Sequence, residues 1–300
     1  MRKLKEMPAN SGMTMPMLNN FPIRQIETPM GRVVFCQSGL LSQSVTHVLL
    51  HGIGSGASSW LMQMEAARHN PQINLVAWYA PGYGTIEASS DDLPMDAPKA
   101  ADYGRKLWAW LDALNAKKGL TSVPITLVGH SLGCLMAASA ATQKPERVKR
   151  LILLSPAQGY ARASQAERDK KLKDRLDSLA LLGPQGLAKL RCAAMLSPTA
   201  SIEQVAFVQQ VMSQIKPHGY VQAAKMLSGG DILSDLLQVT CPIDIASGSA
   251  DTITPSAGCA AVAAQVKARY TLLAGAGHLC ALESADEVSN LLEIKEAATS

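Results

Sequence analysis

The sequence predicts an α/β fold: a mostly parallel sheet flanked by helices, interrupted by one all-helical insertion. Three observations carry the prediction. Apolar strand-like runs alternate with helical stretches in both halves of the chain, as expected of parallel strands joined by crossover helices. Between 157 and 235 the alternation stops and only helical periodicity remains. The apolar run at 124–129 leads directly into Gly129-His130-Ser131-Leu132-Gly133 and then a helix-forming stretch, Leu132–Gln143.

In order, residues 1–20 are rich in Met, Asn and Pro without periodicity and read as a loose lead-in. Residues 23–28 and 32–37 read as two strands about Pro29-Met30-Gly31, a hairpin turn. Residues 45–50 form a nearly continuous apolar strand, as a sheet covered on both faces requires. His51-Gly52-Ile53-Gly54-Ser55-Gly56 follows as a loop, with a helix at 58–68. The strand at 73–79 ends in Ala80-Pro81-Gly82-Tyr83-Gly84, a turn. Leu107, Leu111 and Leu114 place a helical stripe on 97–117. After the 124–129 strand and its helix comes another strand, 148–155.

The insertion then reads as helices at 165–182, 185–196, 201–215 and 219–227. Ser201 with Gln204 makes a capping-box pattern, and Val205, Val208, Met212 and Ile215 an apolar stripe. Strands resume at 242–246 and 269–273, each followed by a helix. The expected organisation is a lead-in at 1–20, a core built from 21–156 and 236–300, and a helical cap at 157–235. The cap leaves from the strand beside the Ser131 turn, which favours a lid over a packing appendage.

Composition narrows the function classes. The chain has 300 residues, 47% of them apolar, enough for a substantial core. Lys plus Arg number 28 against 24 acidic residues, a net charge of +4. With no basic run carrying aromatics, nucleic acid is not an expected partner. Six scattered cysteines without metal-type spacing fit buried thiols in a reduced, cytoplasmic setting. The basic start Met1-Arg2-Lys3-Leu4-Lys5 lacks the apolar stretch of a secretory signal, and no run approaches the ~20 apolar residues of a membrane helix.

Gly-x-Ser-x-Gly alone is a weak signal, with about 0.1 chance matches in a chain this long at roughly 7% usage of each residue. Its setting is what gives it weight. Strand, sharp turn and helix suggest a nucleophile elbow, with the helix-start N–H groups beside the serine. Further motifs are His51-Gly52-Ile53-Gly54, Gly248-Ser249-Ala250-Asp251 and Gly275-Ala276-Gly277-His278. Together, in the order Ser, Asp, His, they resemble the α/β-hydrolase family over nearly everything from residue 22 to the end.

The resemblance implies an α/β-hydrolase fold and a division of labour. Ser131 would be the nucleophile, needing a base to take its proton. His278 would be that base, in a loop of small residues after an apolar strand. Asp251 would hold its tautomer, with Asp244 inside a strand and Asp286 early in a helix as competing acids. The backbone N–H groups of Ile53 and Leu132 would form the oxyanion hole. His51 would brace its loop, His130 would point away from the site, and His47, His69 and His218 lack supporting context.

No G-x-G-x-x-G, Walker lysine or H-E-x-x-H is present, so neither cofactor nor metal is expected. The expected substrate is a small-molecule ester or lactone. Two alternatives stand beside it: a carbon–carbon hydrolase of ring-cleavage products, or a hydrolase-like ligand-binding protein. Relatives that split carbon–carbon bonds commonly carry tryptophan just after the histidine, where this chain has Leu279. Arg191 in the cap could meet a substrate carboxylate, although a solvated helix-face arginine is the commoner role. Met195, Met212 and Met226 suit either a varied pocket or ordinary core.

Overall fold

In a computed structural model of the chain, residues 21–40, 42–84, 93 and 95–295 are described, and the expected lead-in at 1–20 lies outside them. Eight strands form one sheet: β1 (Arg24–Ile26), β2 (Val33–Ser38), β3 (His47–Leu50), β4 (Leu75–Tyr79), β5 (Ile125–His130), β6 (Val148–Leu154), β7 (Ile243–Gly248) and β8 (Arg269–Leu273). Their spatial order is β1-β2-β4-β3-β5-β6-β7-β8. Strand β2 runs antiparallel to β1 and β4, and every other pairing is parallel. The β1–β2 hairpin closes where expected, with Gly31 N–H donating to Thr28 C=O at 3.0 Å and Gly31 at φ 88°.

The continuous apolar strands follow from burial on both faces. Val48, Leu50, Trp78, Leu127, Leu153 and Ile245 join one core with α2 (Ala100–Lys118), α3 (Leu132–Gln143) and α8 (Ser256–Gln265). Leu49, Leu75, Ala77, Val128, Ile152 and Ala246 face the other side, against α1 (Leu61–Arg68), α9 (Cys280–Glu283) and α10 (Ala285–Leu291). Neighbouring residues along the central strands alternate between these cores, so neither face of those strands can be polar.

Between β6 and β7 lie α4 (Gln165–Arg191), α5 (Ile202–Ser213), α6 (Pro217–Gly229) and α7 (Ile232–Leu236). The two expected helices on either side of 183–184 are present as the two segments of α4: Gly183 sits at φ 62°, ψ 178°, outside helical geometry, and is followed by Pro184. Ser164 caps α4 by accepting from Glu167 N–H at 3.2 Å. Ser201 and Gln204 form the expected reciprocal cap on α5, at 3.2 and 2.9 Å. Helix α6 starts two residues earlier than periodicity suggests, because Pro217 occupies the first position, where a missing N–H costs nothing. A satellite apolar cluster (Ala188, Cys192, Met195, Val208, Met212, Leu279, Leu282) joins α4 and α5 to α9 and the residue before it.

Candidate active site

Ser131 occupies the single step between β5 and α3, at φ 51° and ψ −114°. A non-glycine residue there stores about 1–3 kcal/mol of strain and persists only when its surroundings enforce it. They do so by close packing. A Cβ on Gly129 would lie 2.6 Å from the Gly133 carbonyl oxygen, and one on Gly133 would lie 2.2 Å from that of Leu50. Strand β5, helix α3 and strand β3 thus meet without room for side chains. Ser131 N–H donates to Leu154 C=O at 2.9 Å, and its own C=O accepts from Cys134 N–H at 3.0 Å and Ala157 N–H at 3.2 Å.

His278 lies in the loop after β8 and Asp251 in the loop after β7. Its Nδ1 meets Asp251 Oδ2 at 2.9 Å, with both side chains almost fully buried. The other carboxylate oxygen, Oδ1, accepts from Ile253 N–H at 2.8 Å and Thr254 N–H at 2.9 Å, and the Thr254 hydroxyl donates to Oδ2 at 2.9 Å. Burial by itself would push the Asp251 carboxyl up. The hydrogen bond and charge of His278, with the Thr254 N–H, outweigh it and hold the carboxyl well below the usual range. A carboxylate partner makes Nδ1 the proton-bearing nitrogen and leaves Nε2 with a free lone pair. Among the described residues no hydrogen bond joins Ser131 Oγ to His278. Such contacts are often long before substrate binds.

The loop after β3 packs directly on the serine, since a Cβ at Gly52 would lie 3.1 Å from Ser131 Cβ. His51 fixes this loop. Ala80 N–H donates to its Nε2 at 2.9 Å, so the ring proton is on Nδ1, which donates to Gly52 C=O at 2.8 Å. Burial lowers the His51 pKa to about 4, so the ring is neutral. Ser55 N–H adds a second bond to the same carbonyl, at 3.1 Å. The Gly52–Ile53 peptide plane is thereby set, with Ile53 N–H on its opposite edge. Tyr83 Oη donates to Ile53 C=O at 2.9 Å. Leu132 N–H is a first-turn amide of α3. Among the described residues, neither the Ile53 nor the Leu132 amide donates to a protein acceptor.

These groups share a cavity of about 330 Å³, walled from the α4–α6 side by Arg175, Leu187, Arg191, Met195, Met212 and Tyr220. Ser131, Ile53, Leu132 and His278 all line it, while Asp251 sits behind the histidine. Among the described residues, no group of three or more His, Cys, Asp or Glu is placed to hold a metal ion.

Residues 48–291 match the alpha/beta hydrolase family. The chain belongs to that family. An (E)-2-((N-methylformamido)methylene)succinate hydrolase of Acinetobacter baylyi is 23% identical over 209 residues, 68% of this chain and 72% of that protein. A (lyso)-N-acylphosphatidylethanolamine lipase of Bos taurus is 31% identical over 110 residues, 36% of this chain, and that match spans 29% of the lipase's length. The crystal structure of an enol-lactonase from Burkholderia xenovorans is similar in fold, with a TM-score of 0.75 and 18% identity over 90% of this chain and 99% of that one. The family match covers most of the chain, and the likeness of fold agrees with it. Among the described residues, no helix is long and apolar enough to cross a membrane.

The competing acids of this alpha/beta hydrolase are engaged elsewhere. Asp244, inside β7, is paired with Arg150 at 2.6 Å and with Arg269, and exposed Asp286 pairs with Lys295 at 2.7 Å. The expectation for His130 is wrong. It lines the cavity, and its Nε2 donates to the His278 carbonyl at 2.9 Å, with ring centroids 4.9 Å apart. The strained turn redirects only Ser131, and the residue before it still follows the strand. Buried His47 bonds Leu292 C=O at 3.0 Å, whereas His69 is exposed beside Glu65. Arg191 faces the cavity instead of lying on a solvated face, and Met226 belongs to the core instead of the pocket. All six cysteines are free thiols, five of them buried.

Sequence reasoning missed Thr254, Tyr83 and Arg175. Thr254 had a local signal, since an Asp with a Thr three residues on commonly closes an Asp-anchored turn. Tyr83 and Arg175 had none: Tyr83 meets Ile53 across 30 positions, and Arg175 meets Tyr220 across 45.

Proposed function

We propose that this alpha/beta hydrolase cleaves a small-to-medium carboxylic ester or lactone through an acyl-enzyme on Ser131. The observation that carries this is the Asp251–His278 bond of 2.9 Å behind a serine held at φ 51° in the same cavity. Ser131 Oγ attacks the carbonyl carbon while His278 Nε2 takes its proton. Negative charge on the carbonyl oxygen falls toward the Ile53 and Leu132 amides. These are spare donors already fixed in place, so little reorganisation is needed. The histidine returns its proton to the departing alkoxide, and water then repeats the sequence on the acyl-enzyme. Asp251 holds the Nδ1–H tautomer and stabilises the imidazolium that forms in each half.

Residues 157–235 act in this reading as a lid. Leu187, Met195 and Met212 offer apolar contact to the substrate body and help exclude water. Leu279, where carbon–carbon hydrolases commonly have tryptophan, is buried against Met195 in the satellite cluster, which supports the ester or lactone reading.

The test is a fluorophosphonate probe with a panel of p-nitrophenyl esters of increasing acyl length. Labelling of the parent, lost in Ser131→Ala, with turnover across several lengths is expected. Labelling that survives Ser131→Ala overturns the nucleophile assignment. Tight ester binding with negligible turnover would mean a ligand-binding protein instead.

A further inference from the structure

The α4 helix sorts its charges by face. Lys170, Lys171 and Lys173 pair along the exposed side with Asp174, Glu167 and Asp177. Arg175 and Arg191, on either side of the Gly183 break, instead line the cavity that holds Ser131. Among the described residues neither makes an ion pair, although Arg147, Arg150 and Arg269 all do. Asp174 and Asp177 flank Arg175 in sequence, yet both are taken by lysines. Among the described residues, no Asp or Glu lines the cavity.

Both arginines are half-buried. A guanidinium in that setting gives up hydration without an opposite charge to replace it, and an arriving anion would restore the balance. Arg175 is steadied by a neutral partner: its Nη1 donates to Tyr220 Oη at 3.3 Å. A hydroxyl orients the fork without cancelling its charge. The remaining wall is largely apolar, with Leu187, Met195, Met212 and Leu227.

We propose that Arg175 and Arg191 form an anion subsite, and that the substrate is an ester or lactone carrying a carboxylate away from the bond that is cleaved. The proposal rests on the hydrolase reading for its chemistry but on the arginines for its specificity. The apolar wall takes the substrate's carbon chain, the guanidinium forks take the carboxylate, and the two together seat the reacting carbonyl at Ser131. Guanidinium matches carboxylate in geometry as well as charge, which suits arginine to this task better than lysine.

The experiment uses ester pairs that differ only in one charge: monomethyl against dimethyl glutarate, with the charge on the acyl side, and acetoxyacetate against its methyl ester, with the charge on the alcohol side. The full-length protein should prefer the charged member of at least one pair by kcat/KM. Arg191→Gln and Arg175→Gln should each lower that charged-to-neutral ratio roughly 10- to 100-fold, the worth of one charge-assisted hydrogen bond. The ratio is read because a general loss of activity cancels from it. A protein that labels with fluorophosphonate and hydrolyses the neutral esters, but prefers neither charged member, overturns the subsite and leaves the hydrolase reading standing. Absent labelling and turnover overturn the hydrolase reading instead. In that event, calorimetric binding of monomethyl glutarate against dimethyl glutarate decides the subsite. Selective binding of the monoester, weakened in Arg191→Gln, sustains it, and equal affinity overturns it.

Discussion

His130 Nε2 donates to the main-chain carbonyl of His278 at 2.9 Å, so the residue before Ser131 grips the backbone of the histidine that would serve it. Elbow and histidine loop come from elements 148 positions apart, and this bond sets their separation. The His130 ring is wholly buried, and burial lowers its pKa to about 3, so it donates as a neutral imidazole. His130→Ala should leave the His278 carbonyl without a donor and cost about 1–3 kcal/mol of stability. It should also lower kcat with little change in KM. His130→Gln, which can present an amide N–H to the same carbonyl, should recover part of both. Equal losses in the two variants would mean that the ring's shape matters and its hydrogen bond does not.

Asp251 and Asp244 separate chemistry from architecture within one strand and its loop. Asp251→Asn should still fold, with some loss of stability, yet lose about 10⁴ in kcat on the best ester substrate, because the histidine tautomer is no longer fixed. Asp244→Asn should keep its kcat while weakening the Arg150 and Arg269 contacts and lowering the unfolding free energy by about 1–3 kcal/mol. Paired measurements of kcat and urea unfolding check both. An inactive, stable Asp244→Asn would overturn the assignment.

The reach of sequence reasoning follows the range of the interactions. The elbow is local: strand, Gly129, Ser131, Gly133 and helix lie within one short segment, and the sterics that demand glycine act between near neighbours and β3. The central strands were legible because burial on both faces writes continuous apolar runs, whereas β1 and β8, at the sheet edges, are partly exposed. Where Asp251 lies relative to His278 was legible only through the order of motifs along the chain. The grip of His130 and the inward face of Arg191 were not legible. The first depends on which way a strained turn throws its neighbours, and the second on how a broken helix sits over the sheet. Gly183-Pro184 announced the break but not its angle.

Three buried histidines should make the fold sensitive to acid. Burial holds His47 and His51 near pKa 4 and His130 near 3, against about 6.5 when unfolded. Their folded values are depressed, so the unfolded chain takes up protons first as pH falls below about 6.5. Stability is then lost down to about pH 4, at up to ~1.4 kcal/mol per pH unit for each ring. Asp251 contributes separately: its depressed carboxyl stabilises the fold above the usual carboxylate range, and that share is lost only at lower pH. Urea midpoints at pH 7, 6, 5 and 4.5 should fall steeply, and His47→Gln should flatten the slope. A midpoint constant from pH 7 to 4.5 would mean that these rings are solvated in the folded state.

Glu283 ties the segment after α4 to the histidine loop. One carboxylate oxygen accepts from Ser197 N–H at 2.9 Å and the other from Gly277 N–H at 2.8 Å. Leu279 N–H adds a third link by donating to Met195 C=O at 2.9 Å. Residues 195–197 and 277–283 therefore form one bonded unit, with His278 inside it. If residues 157–235 open as the proposed lid, the break falls elsewhere, and the Gly183 step in α4, where a Cβ would meet nothing within 4 Å, offers one place for it. Glu283→Gln replaces one acceptor with an N–H that faces another N–H, so one strap bond is lost and its donor left unpaired. The unfolding free energy should fall by about 1–3 kcal/mol. Hydrogen exchange discriminates a strap from a merely stabilising contact. In the parent, the amides of Ser197, Gly277 and Leu279 should exchange slowly and together, and in Glu283→Gln all three should accelerate while β5 amides keep their protection relative to global stability. Acceleration at Ser197 alone would mean that the two segments move independently and that Glu283 does not couple them.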